Sequence, residues 1–285
     1  MTYDLLISAE QLQALLADPA AVRVFDGTFD LADSGAGHRS YLQAHIPGAI
    51  YADLDTALSD KQGTGMSGGR HPLPARDKFV QWLSTTGLTN DMQAVVYDRN
   101  GANYCGRLWW MLKWVGHANV AVLDGGLQSW QAAGGAVNKG LEAPNSASKF
   151  ALAQPLCALV ATDTVAKNLG RPTQNLIDAR GAPRFRGEVE PLDPVAGHIP
   201  GALNRPFAQN MGPDGKFKSA AELKAEFTTL LAGRDPATVV HHCGSGVSAV
   251  PNILAMQIAG LGMTGLYAGS WSDWCSDASR PMAQG

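Results

Sequence analysis

The segment AHIPGAI at Ala44–Ile50 returns as GHIPGAL at Gly197–Leu203, and its neighbours return in the same order. VRVFDGTF precedes the first copy as NLIDARGA precedes the second. Later, AVVYDRNG answers TVVHHCGS, and VLDGGLQSW near Leu123 answers LYAGSWSDW near Leu266. Solenoid repeats recur every 20 to 50 residues or so, and this period is far longer, so the chain reads as one domain duplicated. A length of 285 residues, more than one compact core usually holds, agrees. The break is expected in Ala136–Pro155, which is rich in Ala, Ser, Pro and Asn and has no sustained helical or strand period. The first domain then covers residues 1–138, a linker 139–155 and the second domain 156–285.

Within each copy, short β-branched runs read as buried strands: Val22–Phe25, Ala94–Tyr97, Val120–Leu123, Leu176–Ile177 and Val239–His241. Helical patterns separate them. The first begins with a capping box, Ser8 with Gln11, and ends before Pro19. Alternating strands and helices imply an α/β fold, in each domain a parallel sheet flanked by helices, with ligands at the carboxyl ends of the strands. Trp109, Trp110 and Trp114 read as the core face of one helix.

Composition narrows the partners. The formal charge of -3, with no Lys/Arg run, offers no footprint for nucleic acid or an anionic membrane. The N-terminus lacks a basic segment followed by an apolar core, and nowhere do about 18 apolar residues run together, so a cytoplasmic protein is expected. Cys105, Cys157, Cys243 and Cys275 form no CxxC pair, which suggests reduced thiols and neither a metal site nor a disulfide framework. His45 and His198 each stand alone in the duplicated turn and read as structural. His241 and His242 point to opposite faces of one strand and cannot chelate a metal together. No cofactor motif is present.

The chemistry concentrates at Cys243. A strand ending at His242 and a helix resuming near Ser248 leave Cys243–Ser248 as a tight turn, whose glycines let backbone N–H groups converge on whatever the cysteine carries. The following helix adds a partial positive charge at its amino end, which favours a thiolate nucleophile. Cys105, Cys157 and Cys275 have no such loop and read as small buried hydrophobes. Two other cysteine chemistries compete. A cysteine phosphatase would place an arginine where this chain has Ala249, leaving only main-chain N–H groups for a phosphate dianion. A cysteine protease would need a histidine base and an orienting Asn or Asp, which the sequence alone neither locates nor excludes.

Taken together, the paired HIPGA segments, DAR at Asp178–Arg180, RFRG at Arg184–Gly187, CGSGVSA at Cys243–Ala249 and GSWSDW at Gly269–Trp274 resemble the tandem rhodanese sulfurtransferases, nearly end to end. The loop is closest to that of the 3-mercaptopyruvate enzymes; thiosulfate enzymes carry basic residues just after the cysteine. The contrast is physical, because thiosulfate is a compact dianion, whereas mercaptopyruvate holds its one carboxylate away from the sulfur it transfers.

The resemblance implies that Cys243 takes a sulfur from a small-molecule donor as a persulfide and passes it to a thiol, such as thioredoxin or a glutathione-like thiol, or to cyanide. It assigns Ser245, His71 and Asp55 to a proton relay, and Gly244, Gly246, Val247 and Ser248 to the cradle. Arg184 aligns with the family's substrate arginine; its plain alternative is a surface ion pair with Glu188 or Glu190. A second substrate arginine would stand at Asp193, where an acid cannot bind a carboxylate. Either another cation compensates, with Arg186 and Arg99 as candidates, or the donor is bound weakly, or the donor is thiosulfate. In the first domain Asp98 or Arg99 falls where Cys243 sits, so that copy should lack the nucleophile. A catalytically silent pair serving as a binding module is the reading from another class.

Overall fold

The computed structural model describes residues 2–63 and 65–285. They form two compact units. The first comprises residues up to Asp60, Pro74–Leu156 and the short insert Pro213–Lys216; the second comprises Lys61–Leu73, Cys157–Gly212 and Phe217–Gly285. The division therefore departs from the sequential one: Lys61–Leu73 leave the first repeat for the second unit, and Pro213–Lys216 go the other way.

The first unit holds β1 (Leu6–Ile7), β2 (Val22–Asp26), β3 (Ile50–Tyr51), β4 (Gln93–Tyr97) and β5 (Val120–Leu123) in a parallel sheet of order β1-β5-β4-β2-β3. The second holds β6 (Asn175–Asp178), β7 (Leu203–Asn204), β8 (Val239–His242) and β9 (Gly265–Leu266) in the order β7-β6-β8-β9. Its counterpart of β1 shrinks to a single parallel bridge, Leu159 to Leu266. The four strands invisible to periodicity are each two residues long, too short to display a period.

The duplication extends to details. Ser8 caps Ala9–Leu15 through a reciprocal box with Gln11, as Ser219 caps Ala220–Leu231 with Glu222. Each HIPGA segment turns through a glycine at positive φ, Gly48 at 75° and Gly201 at 78°, and delivers an edge strand. His45 and His198 hydrogen-bond the carbonyls of Tyr41 and Phe185, which makes them turn-holding residues.

Both faces of the second sheet are covered. Leu176 and Val240 join Trp271, Trp274 and Tyr267 on one side, while Ile177 and Val239 join Leu223, Phe227 and Met256 on the other. Alternate residues thus enter different cores, as a doubly covered parallel sheet requires. In the first unit the helix Cys105–Trp114 is buried at all ten positions. The three tryptophans are core residues as expected, with Trp110 stacked on Trp114 at 5.7 Å, but they do not define a single buried face, because Lys113 is enclosed too and donates to the Ala118 carbonyl at 2.7 Å. Residues 139–155 do not hang free but are tied along the first unit, with the Ser148 and Ala153 N–H groups donating to Ser84 and Val115. Among the described residues no helix is long and apolar enough to cross a membrane.

His241 is fully buried beneath Met256, its Nε2 3.2 Å from the sulfur. Burial first, then His242 and Arg205, hold its pKa down at about 3, against 6.5 for an ordinary histidine. Between those values the unfolded chain binds a proton that the folded chain refuses. Its contribution to stability is therefore complete above about pH 6.5 and lost toward pH 3, at about 1.4 kcal/mol per pH unit. Denaturant titrations from about pH 6 to 4 should show a slope shallower by about one proton in His241→Leu than in the parent. An unchanged slope would mean that the acid-sensitive group lies elsewhere.

Candidate active site

The loop after β8 is shaped by the segment after β9. Trp271 N–H donates to the Cys243 carbonyl at 3.0 Å, and Ser272 N–H to the Gly244 carbonyl at 2.9 Å. In a trans peptide the C=O and the next N–H point opposite ways, so tying these two carbonyls turns the N–H groups of Gly244 and Ser245 toward the other side. Gly246 continues the turn at φ 73°, and a Cβ there would run into the Ala268 carbonyl. Among the described residues, the N–H groups of Gly244, Ser245, Val247, Ser248 and Ala249 make no hydrogen bond to the protein. The helix resumes at Val250, two residues later than expected. Cys243 is 2% exposed, Ser245 and Val247 are buried and Ser248 is half-buried. Cys243 N–H donates to the Ser270 hydroxyl, which in turn donates to the Tyr267 carbonyl. Ser270 holds φ at 57°, a conformation that costs a non-glycine residue on the order of 1 kcal/mol.

The first unit shows what such a loop can hold. Asp26 faces Tyr97 as Asp178 faces His242, so the residue in the place of Cys243 is Asp98, and the sequence ambiguity with Arg99 is settled. The Asp98 carboxylate accepts from the N–H groups of Asn100, Ala102, Tyr104 and Cys105 at 2.8 to 3.1 Å. Its own side chain fills the cradle as a built-in anion, although burial still pushes this carboxyl's pKa up. Leu127 N–H ties the Asp98 carbonyl as Trp271 ties that of Cys243. The position matching Ser270 is Gly126, at φ 59°.

The segment Lys61–Leu73 brings two further groups to the second unit. Gly68 and Gly69 lie so close to Gly269–Asp273 that a Cβ on Gly68 would enter Asp273, and one on Gly69 would stand 2.5 Å from the Gly269 carbonyl. Arg70 N–H donates to the Ser272 hydroxyl at 3.1 Å. His71 follows, buried, with Nδ1 2.8 Å from Ser245 Oγ. Asp55 belongs to the first unit, where its N–H donates to Asp53.

Guanidinium groups cover the loop. A Cβ on Gly244 would lie 2.9 Å from Arg70 Nη2, 3.5 Å from Arg184 Nη2 and 3.6 Å from Arg184 Nη1. Arg184 does make the ion pair with Glu190 anticipated for it, at 2.6 and 3.1 Å, yet that pair aims it over Gly244. Glu190 also receives Arg180, and burial, which would raise its pKa, is outweighed by Arg184 and by the Leu192 and Asp193 N–H groups. Arg180 is itself enclosed: it grips Asp178, donates to the Gly197 carbonyl and lies 4.9 Å over Trp271. Burial works against its charge, but Asp178, Glu190 and Cys243 together raise its pKa above the ordinary value. Asp193 pairs with Arg70 and, at 3.3 Å, with Arg184. The cations proposed as compensators are engaged elsewhere. Arg186 pairs with Glu188 at the exposed surface, and Arg99 is spent within the first unit on Asp26, Thr28 and Ala44. Sequence reasoning missed Arg70 and Ser270. Arg70 adjoins His71, but only the folding of its loop onto Ser272 shows where its side chain goes.

The rhodanese-like domain model matches residues 8–133 and again 161–277. The chain belongs to the rhodanese family, as a tandem pair of such domains. It is 44% identical over 281 residues, 98% of each chain, to a Pseudomonas aeruginosa protein named a probable 3-mercaptopyruvate sulfurtransferase. A Mycobacterium tuberculosis protein that carries the name of a thiosulfate sulfurtransferase is 38% identical, over 98% of this chain and 97% of that one. The structure of 3-mercaptopyruvate sulfurtransferase from Leishmania major superposes with a TM-score of 0.83 at 31% identity, covering 98% of this chain and 76% of that one.

Gly69→Ala should lift the loop without unfolding the unit, since φ there is 84° and the new methyl meets Gly269 and Ser272. Limited proteolysis should cut within residues 61–73 at least about tenfold faster, with the melting temperature within about 4 °C of the parent. Equal cleavage rates would show that the close approach is not what seats the loop.

Proposed function

We propose that the protein is a 3-mercaptopyruvate sulfurtransferase that works through a persulfide on Cys243. The observation that carries this reading is the contrast between the twin loops: in the first unit the main-chain N–H groups are filled by the Asp98 carboxylate, whereas in the second a buried thiol stands at that position and the N–H groups of Gly244, Ser245, Val247, Ser248 and Ala249 make no hydrogen bond to the protein among the described residues. A cradle built for an anion, with a sulfur where the anion belongs, fits a persulfide anion.

The Cys243 thiolate attacks the sulfur of mercaptopyruvate, forming an S–S bond as the donor's C–S bond breaks. The electron pair of that bond goes to the methylene carbon, giving the pyruvate enolate, which takes a proton to become pyruvate. Ser245, 2.8 Å from His71, supplies that proton and is resupplied from His71. The loop N–H groups of Gly244, Ser245, Val247 and Ser248, with Arg180 nearby, balance the charge left on the outer sulfur. A thiolate acceptor, from thioredoxin or a glutathione-like thiol, or cyanide, then attacks that sulfur, and Cys243 leaves as thiolate. Arg184 binds the donor carboxylate. Four free cysteines suit the reducing conditions of the cytoplasm.

The test is a comparison of mercaptopyruvate with thiosulfate under matched conditions, with mass spectrometry of the donor-treated protein. Mercaptopyruvate should be preferred, and one sulfur, about 32 Da, should appear on the peptide bearing Cys243. Cys243→Ser should lose transfer at least about a thousandfold, and Ser245→Ala about ten- to a hundredfold in kcat. Preference for thiosulfate would replace the donor, and a Cys243 that never gains mass would remove the mechanism.

A further inference from the structure

The residues around Gly244 carry more than Arg184. Arg70 and Arg184 converge on it from separate segments and share Asp193, one on each carboxylate oxygen. They are also the outermost part of the assembly: their side chains are 27% and 20% exposed, while Cys243 is 2% exposed. Among the described residues, Arg70 Nη2 and Arg184 Nη1 have no hydrogen-bond partner, and both lie against the space a Cβ of Gly244 would fill. The acid at residue 193 therefore leaves the site with two guanidinium groups. It recruits the second from the Lys61–Leu73 segment.

We propose that Arg70 is a specificity-determining residue that binds the donor's carboxylate together with Arg184, and that Asp193 is the positioning residue that holds both forks in place. The inference rests on the reading of the donor as an α-keto monocarboxylate. Two forks meeting at one point suit a planar carboxylate bidentately. Asp193, with Glu190 on Arg184, offsets the charge of the two forks, so binding falls to the geometry of their free edges and a dianion gains less than two bare arginines would give it. Gly244 completes the device, because any side chain there would stand where the forks meet.

Steady-state kinetics on the full-length protein with 3-mercaptopyruvate and with thiosulfate tests this, using Arg70→Met, Arg70→Lys, Asp193→Asn and the double variant Arg70→Met/Asp193→Asn. In Arg70→Met, KM for mercaptopyruvate should rise about ten- to a hundredfold with kcat within about threefold, and Arg70→Lys should recover part of the loss. Asp193→Asn should raise the thiosulfate to mercaptopyruvate ratio of kcat/KM at least about fivefold. The double variant removes Asp193's charge along with its partner, so a high KM that persists in it comes from the missing fork and not from an uncompensated acid. An unchanged KM in Arg70→Met, a KM restored to the parent value in the double variant, or a donor ratio unmoved by Asp193→Asn would each overturn the proposal. If the parent protein itself fails to turn over mercaptopyruvate, the donor assignment fails first, and that result is distinct from either.

Discussion

Two main-chain hydrogen bonds organise the second unit: those from Trp271 and Ser272 to the carbonyls of Cys243 and Gly244. They convert an ordinary strand end into a surface of inward N–H groups, because a trans peptide cannot orient its C=O without orienting the next N–H oppositely. The sequence requirement is a pair of segments far apart in the chain, one after β8 and one after β9, that meet because β8 and β9 are neighbours in a parallel sheet. Ligand sites at the carboxyl ends of parallel strands arise in this way, from loops that the sheet brings together.

Duplication supplies an internal control on this geometry. With the fold held constant, the two units differ at the residue that enters the cradle, Asp98 against Cys243, and at the left-handed position behind it, Gly126 against Ser270. Glycine takes that conformation freely. Serine takes it at a cost, and its hydroxyl then accepts the Cys243 N–H, anchoring the start of the loop at Cys243. At this position the strain stands only in the unit that carries the thiol, whereas the first unit places its own left-handed non-glycine residue, Ala102 at φ 60°, further along the loop, where its N–H reaches Asp98.

Much of this was legible in the residues. The repeat gave two α/β domains, the β-branched runs gave five strands within a residue or so, and the Gly-x-Gly loop marked Cys243. What stayed hidden was either too short or too distant. Two-residue edge strands show no period. The helix Cys105–Trp114 reads as amphipathic by spacing but is buried throughout, because tertiary enclosure overrides a local pattern. Arg70 is the sharpest case. Its place beside Gly244 depends on Gly68 and Gly69 packing against Gly269–Asp273, about 200 residues further on, and no local signal encodes such a contact. By contrast, Arg186 and Arg99 looked like candidates because charge is visible in a sequence, whereas Arg186 is engaged by Glu188 two residues along and Arg99 by Asp26, a partner that only the fold brings near.

The charge pattern decides what the site can distinguish. Three guanidinium groups, Arg70, Arg180 and Arg184, meet three carboxylates, Asp178, Glu190 and Asp193. The innermost pair, Asp178 with Arg180, is sealed from water and fixes the floor beneath the loop; the outermost, Asp193 with Arg70 and Arg184, has its arginines in contact with solvent. A balanced set cannot act as a general trap for anions, since the long-range field nearly cancels. On the proposed reading, attraction then depends on short-range geometry, on whether an incoming group can engage the free edges of two forks while its sulfur reaches Cys243. A compact dianion gains most from net charge, and this arrangement offers little of it; a carboxylate carried some bonds away from its sulfur gains most from shape. Asp193, which in isolation reads as a residue hostile to an acidic donor, is on this account what makes the site selective among acidic donors.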